Sequence, residues 1–199
     1  MIEWWDMAPM PSIEPRYTTA EKHSLLRVAH DSILYWLEHS RALRVDAHIY
    51  APALRKPRAT FVTLELNNTL RGCIGTLEAT RALVNDVAHH AAAAAFSDPR
   101  FAPLTAAEFA HLSLYISVLS PPEIMHVVSE DDLLQQLRAG IDGLILEDGP
   151  RRDTFLPSVW GSLPEPHDFL RHLKLKAGLP ESYWAETIKV QRYTTELIS

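Results

Sequence analysis

Apolar residues recur first with a helical period. In TTAEKHSLLRVAHDSILYWLEHS, Leu25, Ala29, Ile33, Trp36 and Leu37 share one stripe, and Thr18 and Glu21 have the spacing of a capping box. An amphipathic helix is expected there. TFVTLEL and LRGCIGTL then alternate around Asn67, Asn68 and Thr69, turn chemistry that predicts a hairpin. A three-residue loop would pair Leu66 with Leu70 and gather Val62, Leu64, Leu66, Leu70 and Ile74 on one buried face. The opposite face would carry Thr63, Glu65, Arg71, Cys73 and Gly75, with Glu65 across from Arg71 and Thr63 across from Cys73.

A second helix follows, with Val84, Val87, Ala91 and Ala95 inward and Asp98-Pro99 forcing its end. Its alanine run suits close helix-on-sheet packing. Thr105 and Glu108 mark a short capped turn, after which LSLYISVL alternates with Leu112, Leu114, Ile116 and Val118 on one face. Ser129 caps a helix that Gly140 ends, and GLILEDGPRRDTFLPSVW divides into two strands around Asp148-Gly149. Phe169, Leu170, Leu173 and Ala177 stripe a last helix, stopped by Gly178 and Pro180, and TIKVQRYTTELI is a final strand. Neighbouring hairpins in this mixed order predict an α+β fold with mainly antiparallel sheet packed with helices.

Residues 1–17 carry three prolines and no period, which marks them as an arm that Trp4 and Trp5 would tack onto the body or a neighbouring subunit; residues 18–199 form the domain. At 199 residues, 47% of them apolar and 22% charged, the chain matches one ordinary globular core. A net charge of −6 argues against a general nucleic-acid binder, and RHLKLKAGL reads as the solvated side of a helix. With no basic leader, no membrane-length apolar run and a lone cysteine, a cytoplasmic protein without membrane attachment is expected.

Candidate chemistry centres on Cys73. A cationic neighbour lowers a thiol's pKa, and Arg71, two positions back on a strand, projects to the same side. Gly72 and Gly75 would let a ligand or another backbone approach closely. The bland alternative pairs Arg71 with Glu65 and leaves Cys73 as a small inert hydrophobe. SDPRFAPL is the second candidate: Asp98 and Arg100 flank Pro99 in a stiff loop, either gripping an anion or simply holding each other. His23 and His30 share a helix face but stand ~10 Å apart, too far for one metal ion. His89 and His90 are adjacent and off the inward stripe. Phosphate loops, zinc helices, serine elbows and Cys-x-x-Cys pairs are absent, so no metal and no cofactor is expected.

Together LRGCIGTL, AFSDPRFAPL, ISVLSPPE and TFLPSVW followed by KAGL resemble the signature segments of the AMMECR domain family, whose bacterial members belong to the AmmeMemoRadiSam system, across roughly Thr18 to Glu196. The resemblance implies two unequal lobes, with Leu70 to Gly75 lining a groove at their junction. It also implies association with Memo-like and radical-SAM proteins. Ser158 departs from the pattern, standing where relatives commonly have glutamine. The expectations are therefore twofold. In one, Cys73 is a metal-independent group-transfer nucleophile acting on a small molecule or a modified side chain, Arg71 holds the thiolate or an anionic group, and a histidine from elsewhere moves protons. In the other, a non-catalytic groove docks a peptide or a Memo-like or radical-SAM partner. Glu65, Gly72, Gly75, Asp98 and Arg100 are the expected contacts in either case. Recognition of a structured RNA is a third reading, disfavoured by the acidic balance.

Overall fold

A computed structural model describes residues 16–199. The arm, with Trp4 and Trp5, falls outside them except for its last two residues. Tyr17 is buried, and the Arg16 N–H donates to Glu196 at 2.8 Å.

The elements run α1 (Thr19–His39), α2 (Pro52–Arg55), β1 (Thr60–Leu66), β2 (Thr69–Gly75), α3 (Leu83–Phe96), α4 (Ala106–Phe109), β3 (Leu112–Leu119), β4 (Glu123–Met125), α5 (Glu130–Gln136), β5 (Gly143–Asp148), β6 (Arg151–Phe155), α6 (Pro166–Lys176), β7 (Lys189–Tyr193) and β8 (Thr195–Ile198). They form two four-stranded sheets, ordered β2-β1-β3-β8 and β4-β7-β5-β6, with every pairing antiparallel. The fold is α+β in two unequal lobes.

In the larger lobe α1 and α3 cover one face of the first sheet. Leu25, Ala29 and Ile33 meet Val87, Ala91 and the strand residues Val62, Leu64 and Ile116 in one cluster. The expected capping box starts α1: Thr18 Oγ1 accepts from the Glu21 N–H, and Glu21 accepts from the Thr18 N–H at 2.8 Å. The smaller lobe packs Phe169, Leu170 and Leu173 of α6 against Leu144, Leu146 and Val190, with Trp160 stacked on Phe169 at 3.9 Å. Ala59, Leu119, Ile145 and Tyr193 form a third cluster where the lobes meet.

The final strand is two. Lys189–Tyr193 belongs to the smaller sheet and Thr195–Ile198 to the larger, and the chain crosses at Thr194, whose carbonyl accepts from the Ser120 N–H at 2.8 Å. Likewise the basic stretch in α6 is not wholly a solvated face. Lys174 is fully buried, because its ammonium donates to Glu130 at 2.6 Å and to the Glu181 carbonyl at 3.0 Å. His90 is buried too, its Nδ1 lying 3.2 Å from Asp86 and from the Thr60 hydroxyl, whereas His89 is exposed.

Candidate functional site

The hairpin turns on two residues, not three. Asn67 and Asn68 both take positive φ (51° and 59°), the backbone of a turn whose twist matches the flanking strands. Leu66 therefore faces Thr69 and Glu65 faces Leu70, until a bulge at Arg71 restores Leu64 opposite Gly72 and Thr63 opposite Cys73. The expected Thr63–Cys73 pairing holds, whereas the Glu65–Arg71 pairing does not. Leu70 leaves the core and is 39% exposed.

Arg71 is occupied elsewhere. Its Nε donates to Glu108 at 2.8 Å, and its Nη2 donates to Glu108 at 3.2 Å and to the Ala102 carbonyl at 2.9 Å. That fork and the capping box at Thr105 together hold the Glu108 carboxyl down at about 2. Arg71 thus ties the bulge to α4 rather than holding the thiolate. Gly72 serves packing: a Cβ there would stand 2.1 Å from the Ala94 carbonyl oxygen of α3. A Cβ at Gly75 would stand 2.4 Å from the Thr60 carbonyl. Both glycines admit a neighbouring part of the protein itself.

Asp98 and Arg100 do grip each other, and between them they grip Cys73. The buried Asp98 carboxylate accepts from the Cys73 N–H at 2.9 Å, from the Arg100 N–H at 3.1 Å, and from the Arg100 guanidinium at 2.9 and 2.7 Å. Arg100 Nη2 also donates to the Cys73 carbonyl at 3.3 Å. The guanidinium fork drives the Asp98 carboxyl far below the ordinary carboxylate range, against the opposing push of burial, and the same carboxylate raises Arg100. Cys73 is thereby clamped through its main chain, leaving its side chain free to turn away.

That side chain lines a groove of about 600 Å³ between the lobes. Phe61, Thr63, Leu70 and Cys73 form one wall with Pro99 and Arg100; Thr154, Phe155, Leu156, Ser158, Val159 and Lys176 form the other. The Thr63 hydroxyl donates to the sulfur at 3.4 Å. Among the described lining residues there is no histidine. Ser158 stands in the groove. Lys176, the first residue of the KAGL segment and expected on the solvated side of its helix, holds the far wall: its Nζ pairs with Asp153 at 2.8 Å and lies 5.5 Å from the Phe155 ring centroid. No group of three or more histidine, cysteine or carboxylate side chains is placed to hold a metal among the described residues, and no described helix is long and apolar enough to cross a membrane.

The AMMECR1 family profile matches residues 26–198. A protein of Methanothermobacter thermautotrophicus is 35% identical over 181 residues, covering 89% of this chain and 93% of its own. One from Thermotoga maritima is 32% identical over 177 residues, covering 88% and 97%. The crystal structure of the uncharacterized protein PH0010 from Pyrococcus horikoshii superposes with a TM-score of 0.82 at 32% identity, covering 89% of this chain and 90% of that one. With a profile match over residues 26–198, relatives above 30% identity along most of their length and the same fold in one of them, this chain belongs to the AMMECR1 family.

Proposed function

We infer that this protein is a binding module of the AmmeMemoRadiSam system, whose groove between the lobes receives a small molecule or a peptide of a Memo-like or radical-SAM partner. One observation carries the reading. Cys73 is held by main-chain bonds to Asp98 and Arg100 on the wall of a largely apolar groove, while the arginine expected to activate it is committed to Glu108. Large apolar walls with a few fixed polar groups are the usual make-up of a ligand site.

Cysteine catalysis is the second reading, favoured by the Thr63 hydroxyl aimed at the sulfur. In that case the Cys73 sulfur forms a bond to an electrophilic carbon of the substrate as the bond from that carbon to its leaving group breaks, and the thiol proton passes through a base that the substrate or partner brings to the departing group.

Coexpression with the Memo-like and radical-SAM proteins of the same genome separates the two. A binding module retains its partner in Cys73→Ser and loses it in Leu70→Arg, which places bulk and charge on the exposed lip of the groove. Retention in both variants sinks the groove as the binding surface. Loss of cellular activity in Cys73→Ser with the partner still bound favours the nucleophile.

A further inference from the structure

Two edge strands meet the groove, β2 from the larger lobe and β6 from the smaller. Antiparallel ladders alternate bonded with non-bonded pairs, so on each edge every second residue turns both main-chain groups outward. On β2 that residue is Cys73, whose N–H and C=O are met by Asp98 and Arg100. On β6 it is Thr154, whose N–H donates to Asp153 Oδ1 at 2.8 Å and whose C=O accepts from Lys176 Nζ at 2.9 Å. Each edge thus carries an aspartate and a cation placed as the peptide unit of a neighbouring strand would be, acceptor to N–H and donor to C=O. Charged side chains are a known means of blocking an open sheet edge.

The two guards differ in how firmly they are set. Asp98 is 2% exposed and accepts four hydrogen bonds, so the β2 edge is sealed. Lys176 is 47% exposed on a flexible stem, and its ion pair with the partly exposed Asp153 is of the kind that contributes little. The β6 edge can open at small cost.

Resting on the groove reading above, we propose that an extended peptide segment of a partner adds a strand to β6, its own amide replacing the Lys176 ammonium on the Thr154 carbonyl and its own carbonyl replacing Asp153 Oδ1 on the Thr154 N–H. Phe61, Leu70, Phe155 and Val159 then take its alternate side chains. The Lys176 ammonium, released from the carbonyl, stays on the groove wall with only its weak ion pair to Asp153, while Arg100 and Asp98, the single lining carboxylate among the described residues, neutralise each other. The guest therefore carries an acidic side chain among apolar ones.

Cys73, the chain's sole cysteine, supplies a tether in the same groove. The probes are an N-acetylated, C-amidated pentapeptide with a central cysteine, apolar neighbours and one glutamate; its twin N-methylated on the flanking amides; and cystamine. Each is presented as a disulfide in thiol buffer, where the Cys73 thiolate forms one new S–S bond and releases the leaving thiolate. Mass spectrometry measures the adduct at equilibrium, and hydrogen exchange is followed at the Thr154 amide. Retention of the peptide roughly tenfold above its twin, about the worth of one or two net hydrogen bonds, with slowed exchange at Thr154, is the expected result. Equal retention of peptide and twin alongside a cystamine adduct overturns strand addition and leaves the groove standing. No adduct with any probe overturns both.

Discussion

Replacing Asp98 by alanine removes the acceptor of four hydrogen bonds at a side chain 2% exposed to solvent. The half-exposed Arg100 can turn to water, so its charge is not stranded. The Cys73 N–H cannot follow: it is fixed on the strand and loses its partner at 2.9 Å. A hydrogen bond to a charged group contributes about 1.5 to 3 kcal/mol, and losing one partner of a buried pair costs about 3 to 5. Discounting for the exposed end of Arg100, we expect Asp98→Ala to lower stability by about 3 kcal/mol at pH 7, measured by urea unfolding. The sign with pH follows from the depressed Asp98 carboxyl. Its contribution is complete above the unfolded carboxylate value near pH ~4 and declines as the medium is acidified from there toward the lower folded value. The gap between wild type and variant should therefore be smaller at pH 3 than at pH 7. A gap below about 1 kcal/mol at pH 7, or one that is unchanged at pH 3, would refute the clamp.

Other substitutions separate packing from chemistry. Gly72→Ala drives a methyl to 2.1 Å from the Ala94 carbonyl, so β2 or α3 must shift, and a calorimetric loss of at least about 2 kcal/mol is expected. Arg71→Lys keeps the charge but cannot reproduce the fork on Glu108 and Ala102; about 1 to 2 kcal/mol should be lost by urea titration, with native Cys73 alkylation by iodoacetamide still proceeding. Thr60→Val removes the hydroxyl that donates to the buried Asp86 at 2.7 Å, and about 1 to 2 kcal/mol should go with it in thermal unfolding.

Local periodicity carried α1, α3 and α6 and the faces of β1 and β3, because each of those elements buries a stripe that its own residues define, whereas α2, four residues long, shows none and was not expected. What it did not carry depended on partners far along the chain. The hairpin register turned on whether Arg71 would face Glu65 or bulge toward Glu108, thirty-seven positions later. The positive φ at both asparagines was compatible with the turn chemistry in view, but the loop length was not decided by it. Lys174 read as solvent-facing until Glu130 was brought to it from another helix. The strand break at Thr194 left no glycine or proline, only a change of sheet secured by Ser120.

The site was legible in part. Cys73, Asp98 and Arg100 do converge, as the two signature segments suggested, though as a clamp on the main chain rather than as a charge beside sulfur. Glu65 remained on the hairpin opposite Leu70, outside the groove lining, and Gly72 proved to be a contact with α3. Lys176 and Phe155 could not be found from spacing, since they reach the groove from the other lobe. A lysine just before Ala177-Gly178, at the end of a helix, gives no local sign that it will cap a strand.

Protection of Cys73 from iodoacetamide tests the central claim most directly, because the groove either is or is not where a partner sits. Titrated with the proposed radical-SAM or Memo-like partner, the native chain should lose at least about tenfold in alkylation rate at Cys73, and Leu70→Arg should abolish that protection. An alkylation rate unmoved by a partner that demonstrably binds would put the interaction elsewhere on the molecule and contradict the account.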